Sequence, residues 1–176
     1  MMENVMRITY EVTPLTMAVL SKKDKGGKTN TFILEEKRDY TVYTTPTKVI
    51  DEACKFFGSS LRGRLEGTKD ISKITHKAPI AIDPSSGMYF FPTASPARNN
   101  CSWINHSYVD EIKPIGKNKT EITFNNGRRI ILNVSYGSMR NQLQRTAQFR
   151  FHLDTRMKHL QNTMSDNNQS TEKTNQ

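Results

Sequence analysis

The segment TEITFNNGRRIILNV, residues 120–134, contains the clearest structural signal in the chain. Apolar and polar residues alternate on both sides of Asn125-Asn126-Gly127, as they do along strands that bury one face. An Asn-Gly pair favours the backbone conformation of a tight hairpin turn. The segment therefore predicts a β-hairpin, which makes antiparallel strands the expectation for the surrounding chain.

The sequence before this hairpin also predicts short strands. Residues 71–115 contain short apolar runs separated by prolines and glycines, which predicts strands joined by turns. The first third of the chain alternates in a strand-like way around residues 8–12, 17–20, 32–34 and 40–43. Between two of these runs, residues 22–30 are rich in Lys, Gly and Asn, which predicts a solvated loop.

Two helices are predicted in the middle of the chain. The first begins near Thr45, because Thr is a good N-cap and Pro46 suits the first helical position. Gly58 is placed to end it, after which Ser59 or Ser60 can cap a second helix that reaches about Asp70. The predicted buried stripe of the first helix consists of Val49, Ile50, Ala53, Cys54, Phe56 and Phe57.

A third helix is predicted near the C-terminus, with Ser138 as its cap and an end near Leu160. Its predicted apolar side consists of Met139, Leu143, Ala147 and Phe151, followed after a shift in phase by Leu153, Met157 and Leu160. Residues 162–176 contain almost nothing to bury. The sequence therefore predicts a single α+β domain over residues 1–161, built from short antiparallel strands and two or three helices, and a disordered polar tail over 162–176.

The charge of the chain indicates a polyanionic partner. Lys and Arg number 26 against 17 for Asp and Glu, and the net charge is +9. An anionic membrane surface is disfavoured, because no segment is apolar enough to enter lipid and no secretory signal is recognisable at the N-terminus. Nucleic acid is therefore the favoured partner, and the cytoplasm is the expected location.

The two cysteines, Cys54 and Cys101, exclude a disulfide framework and are too few for a Cys-rich zinc site. His106 is close to Cys101 in sequence, but no further metal ligands follow at a recognisable spacing. No metal or cofactor is expected. Catalytic motifs are lacking as well, so we do not expect an enzyme, although a Cys101 thiol activated by His76 or His106 remains an alternative.

Basic residues are concentrated in two segments. Residues 55–77 combine lysines and arginines with three glycines, and residues 128–158 contain seven basic residues with Asp154 as the single acid. Arginine binds phosphate through a planar fork and suits the narrow minor groove of A·T-rich DNA. The alternative is that these residues form a solvated basic helix face.

Several motifs in the centre of the chain resemble the bacterial competence transcription factor family, ComK. They are FFGSS at 56–60, RGRLEGT at 62–68, ITHKAPI at 74–80, DPS at 83–85, FPT at 91–93, RNNCSWINH at 98–106, EITFNNG at 121–127, SY at 135–136 and RTA at 145–147. The resemblance extends from about Tyr10 to Phe151. It implies a nucleoid-associated activator of genes for DNA uptake and recombination.

The resemblance also implies how such a protein works. It would bind paired A·T-rich boxes in double-stranded DNA, mainly through the minor groove and as a dimer or tetramer, with RNA polymerase as a candidate partner. An adaptor of the Clp protease is a further partner of the family, but the apolar C-terminal segment that it uses is not apparent here. The alternative is a competence regulator that acts through protein–protein contacts without binding DNA.

Charge placement selects the candidate DNA contacts, which the resemblance does not supply. We predict that DNA is bound by Arg62, Arg64, Lys69, Lys73, Lys77, Arg98, Arg128, Arg129, Arg140 and Arg145.

Overall fold

The computed structural model of the chain describes residues 12–172, in which nine strands form two antiparallel sheets. The larger sheet has the order β3-β2-β1-β6-β5-β4. Its strands are β1 (Thr16–Lys23), β2 (Thr29–Glu35), β3 (Asp39–Val42), β4 (Ile80–Asp83), β5 (Met88–Pro92) and β6 (Trp103–Asn105). The smaller sheet is formed by β7 (Val109–Ile115), β8 (Lys119–Phe124) and β9 (Arg129–Leu132).

The helices are α1 (Pro46–Phe56), α2 (Leu61–Ser72) and α3 (Tyr136–Glu172). Together with the two antiparallel sheets they confirm the predicted α+β fold class. The predicted strand around residues 8–12 lies outside the described residues except for Val12, which is buried.

The predicted hairpin at residues 120–134 is confirmed. Strands β8 and β9 pair with Ile122 opposite Ile130, and the Phe124 N–H donates to the carbonyl of Arg128 at 2.8 Å. Gly127 has a φ of +84°, the left-handed conformation that an Asn-Gly turn supplies. In the first third, β1–β3 form where strands were predicted, but the lysine-rich loop is shorter than predicted, because pairing extends to Lys23 opposite Thr29.

Helices α1 and α2 begin where the cap residues predicted. Pro46 opens α1, and the Ser60 hydroxyl accepts a hydrogen bond from the Gly63 N–H at 3.0 Å at the start of α2. The predicted buried stripe of α1 is wrong at Phe56, which is 53% exposed. At about 100° per residue, Phe56 lies roughly a quarter turn from the centre of the buried stripe, at its edge, whereas Phe57 lies near the centre.

Side chains of the larger sheet alternate between two apolar layers. Phe90 and Trp103 pack on one face against α1 and α2. Phe91 and Ile104 point to the opposite face, where they pack against the smaller sheet and Met139 of α3. The larger sheet is therefore the middle layer, with α1 and α2 on one side and the smaller sheet with α3 on the other.

The phase predicted for the third helix is wrong. The helix begins one turn earlier, where the Ser135 hydroxyl accepts from the Ser138 N–H at 3.3 Å. Ala147 and Phe151, predicted on the apolar side, are exposed. The residues that α3 buries fully are Met139, Gln142, Thr146 and Phe149. Two of them are polar, and apolar periodicity alone does not reveal core positions occupied by polar residues.

Helix α3 also extends further than predicted, to Glu172. From Thr155 to Gln169 every side chain is exposed, so Met157 and Leu160 do not form the buried apolar side that was predicted. Over residues 162–169 the exposure agrees with the expectation that the tail buries nothing. Residues 162–172 of the predicted disordered tail nevertheless continue the helix, because each added residue gains a backbone hydrogen bond once the helix is nucleated. Residues 173–176 lie outside the described part of the chain.

Candidate nucleic-acid interface

The loop between α2 and β4 holds two lysines in a strained backbone conformation. Lys73 ends α2 with φ 61° and ψ 13°, and Lys77 has a φ of 46°. Within residues 12–172 they are the two residues other than glycine with a positive φ. A left-handed conformation costs a residue with a Cβ atom about 1–2 kcal/mol. Such conformations persist only where surrounding contacts hold them, and they are frequent at functional sites.

Helix α3 supplies contacts that hold this loop. Gln142 donates its amide N–H groups to the carbonyl of Lys77 at 3.0 Å and to that of Pro92 at 2.6 Å. Arg145 donates to the carbonyl of His76 and, at 3.5 Å, to that of Lys77. The buried amide and the guanidinium thus tie the loop carbonyls to α3, and the amide ties the same helix to β5.

Exposed cations surround the loop. The side chains of Lys69, Lys73 and Lys77 are exposed, and Arg156 on α3 lies 3.5 Å from the carboxylate of Asp70 on α2. Lys73 also donates to the carbonyl of Asp70 at 3.1 Å. We call this surface the α2–α3 edge, formed by Lys69, Lys73, Lys77, Arg145 and Arg156.

Two of the predicted contact residues, Arg64 and Arg128, bind other parts of the fold away from this edge. Arg64 donates to the carbonyl of Ile82 at 3.2 Å, beneath α2. Arg128 donates with both terminal nitrogens to the carboxylate of Asp39 at 2.7 Å, and to the carbonyl of Glu35 at 3.0 Å. Arg128 therefore links the β8–β9 hairpin of the smaller sheet to the β2–β3 turn of the larger one.

Arg128→Ala is expected to lower the free energy of unfolding by about 1–2 kcal/mol. The substitution removes the bidentate ion pair with Asp39 that joins the two sheets, and solvent partly screens this pair. Urea unfolding measures the change. Arg129→Ala is the matched control, since the Arg129 side chain is 64% exposed and its nearest carboxylate, Glu121, is 4.0 Å away. Equal stability of the two variants would contradict a linking role for Arg128.

Four further predicted contacts lie away from the α2–α3 edge. Arg62 and Arg98 line a groove of about 680 Å³ between α1, the start of α2 and residues 96–99. Asp51, Glu52 and Glu66 line the same groove, and Glu66 pairs with Arg62 at 3.1 Å, so its charge is mixed. Arg129 lies on the smaller sheet and Arg140 is exposed near the start of α3.

The cysteines offer little support for the thiol alternative. Both are buried, and burial raises the pKa of Cys54 to about 12 and also raises the pKa of Cys101. Because the thiolate is the reactive form, a raised pKa disfavours nucleophilic chemistry. Cys101 precedes β6 and His106 follows it, so the two residues lie at opposite ends of this strand. Burial lowers the pKa of His106.

The described residues contain neither a metal-binding cluster nor a membrane-spanning helix. No group of three His, Cys, Asp or Glu side chains between residues 12 and 172 is placed to hold a metal ion. In the same stretch, no helix combines the length and the apolar character that a bilayer-spanning segment requires.

Sequence reasoning missed Arg156, a member of this surface, and Gln142, which holds the loop from beneath. Nothing in the sequence predicts that Gln142 is buried, because a glutamine within a helix is expected to face solvent unless its hydrogen-bond partners are known. Arg156 belonged to the basic run at 128–158 but was not selected, since its approach to Asp70 depends on the packing of α3 beside α2.

Comparisons with known proteins cover most of the chain. Residues 7–158 match the family model described as ComK protein. The competence transcription factor of Bacillus subtilis (strain 168) is 42% identical over 151 residues, which cover 86% of this chain and 78% of that relative. No solved structure matches. With a family model that spans most of its length and a relative of this identity, the chain belongs to the ComK family.

Proposed function

We propose that this protein activates transcription of competence genes by binding double-stranded DNA, and that the α2–α3 edge supplies its main phosphate contacts. The relative from Bacillus subtilis is named a competence transcription factor, which is not a class of enzyme. The observation that carries the choice of surface is the loop at 73–77, where two exposed lysines occupy a strained backbone that α3 holds in place.

A preorganised loop suits DNA because its ordering cost is met during folding. Lys73 directly follows α2 and its backbone N–H donates to the carbonyl of Lys69 at 2.9 Å, while Lys77 ends the loop. Lysines at such positions neutralise phosphates and release counterions from the DNA. Holding the backbone before binding lowers the entropy that association would otherwise lose.

The width of an α-helix excludes α2 and α3 from the minor groove and leaves the loop as the part that can enter it. An α-helix with its side chains is about 10–12 Å wide, whereas the minor groove of B-DNA is about 6 Å wide. Neither α2 nor α3 fits such a groove, but a lysine projecting from the loop at 73–77 does. Because A·T-rich DNA has the narrowest and most negative minor groove, it is the preferred sequence.

Paired boxes call for more than one copy of the chain. A single copy presents one α2–α3 edge, so two boxes would be bound by two copies, arranged as a dimer or a higher oligomer. Activation would follow from recruitment of RNA polymerase beside the bound boxes, at the nucleoid.

Fluorescence anisotropy tests the proposal. The protein is titrated into a duplex with two A·T-rich boxes and into a G·C-rich duplex of equal length, at several salt concentrations. Tighter binding to the first duplex and a steep loss with salt, with a slope of about −0.9 per neutralised phosphate, are expected. Absence of binding to either duplex at low salt would instead favour a competence regulator that acts through protein–protein contacts.

A further inference from the structure

The outer part of α3 carries apolar side chains that nothing in the described part of the chain covers. From Thr155 to Gln169 all side chains are exposed. Among them, Met157 is 46% exposed, Leu160 is 60% exposed and Met164 is 68% exposed. Apolar side chains scattered singly on a surface need no explanation, so their arrangement along the helix decides whether they form an interaction surface.

Their spacing is that of a coiled-coil seam. Leu153, Met157, Leu160 and Met164 follow one another at intervals of four, three and four residues. Leu153 packs against Tyr89 and Phe149 within the domain. We call these four residues the α3 stripe, which begins in the core and continues along the exposed helix.

The flanks of the stripe suit an identical helix. Gln161, Thr163 and Asn168 occupy the positions beside the outer stripe, and none of them is charged. The charged residues beside its inner end have partners in their own chain, Arg156 with Asp70 at 3.5 Å and Asp154 with the Tyr89 hydroxyl at 2.7 Å. Two copies lying side by side would therefore meet no like-charge repulsion along the seam, despite a net charge of +9.

We propose that two copies of this chain associate through the α3 stripe, as a short two-helix coiled coil. The exposed part of the helix spans roughly 22 Å at 1.5 Å per residue, about two heptads. Two heptads form a weak pair in free solution, and tethering of both copies on neighbouring sites raises their effective concentration. The contact itself does not depend on DNA, so its failure and the failure of the proposed function are separable.

Sedimentation equilibrium over a concentration series tests the contact with the full chain and three variants. Leu160→Glu and Met164→Glu place a charge in the seam without touching the domain core. Phe151→Glu is the matched control, because Phe151 is 67% exposed but lies nine residues from Leu160, about half a turn around the helix. Circular dichroism confirms that each variant is folded.

The wild type is expected to show a mass that rises with concentration. Each seam variant is expected to raise the dissociation constant about tenfold or more, since an unpaired charge in an apolar seam costs at least about 1.4 kcal/mol. Phe151→Glu is expected to behave as the wild type. A monomeric wild type at all concentrations, an unchanged mass for both seam variants, or an equal effect of the control would overturn the proposal. Binding of the seam variants to a duplex with one box reports separately on DNA binding.

Discussion

Replacement of Lys69, Lys73 and Lys77 together by alanine is expected to lower the salt dependence of DNA binding by up to about 2.7 in the log-log slope, or about 0.9 for each phosphate that is no longer neutralised. If the two proteins bind equally at 1 M salt, where the electrostatic contribution is small, that difference in slope weakens binding at 0.1 M salt by up to about 500-fold. Alanine keeps the Cβ atom at both strained positions, so the backbone strain is unchanged and the measured effect is that of the charge. Fluorescence anisotropy at several salt concentrations measures it.

A matched variant separates the α2–α3 edge from net charge. Lys113, Lys117 and Lys119 are also exposed, and they lie on the smaller sheet or in the turn between its first two strands. Their replacement by alanine removes the same three positive charges. If this variant were weakened as much in affinity and slope as the first one, general electrostatic attraction would explain binding and the α2–α3 edge would lose its assignment.

Trp103→Ala is expected to lower the free energy of unfolding by about 3–5 kcal/mol, a large share of the roughly 5–15 kcal/mol that stabilises a typical domain. Trp103 on β6 is fully buried in the layer between the larger sheet and α1. Its indole N–H donates to the hydroxyl of Thr47, in the first turn of α1, at 3.4 Å. Removal of the ring leaves a cavity and removes the hydrogen bond from the indole N–H to the Thr47 hydroxyl. Urea unfolding followed by circular dichroism provides the measurement.

Phe56→Ala is the control for that substitution, because Phe56 is an aromatic residue of the neighbouring α1 with half of its surface already in solvent. It is expected to cost about 1 kcal/mol or less. Comparable destabilisation of the two variants would mean that Trp103 does not anchor this layer.

Local chemistry explains which elements could be predicted from the sequence. The Asn126-Gly127 turn, the Pro46 start of α1 and the Ser60 cap of α2 each depend on residues within a few positions of one another. The phase of α3 was missed because Gln142 is buried, and an amide becomes a core residue only when distant carbonyls satisfy it. Apolar patterning carries no record of such partners.

The same reasoning applies to the candidate site. The sequence identified both basic segments but could not separate arginines that face solvent from those that hold the fold. Arg128 meets Asp39, which is 89 positions away, and Arg145 meets His76, which is 69 positions away. The strain at Lys73 and Lys77 likewise follows from contacts made after folding, and nothing in the lysine residues themselves predicts it.

The left-handed backbone at positions 73 and 77 sets folding against function. Glycine adopts this conformation without the steric cost that a lysine incurs, so a chain selected only for a firm fold would place glycine there. Retaining lysine keeps two positive charges at the price of some thermodynamic stability. A consensus or computational design aimed at stability would therefore tend to choose glycine at these two sites. The resulting protein would be more stable, but it would lack two positive charges of the proposed DNA-binding surface.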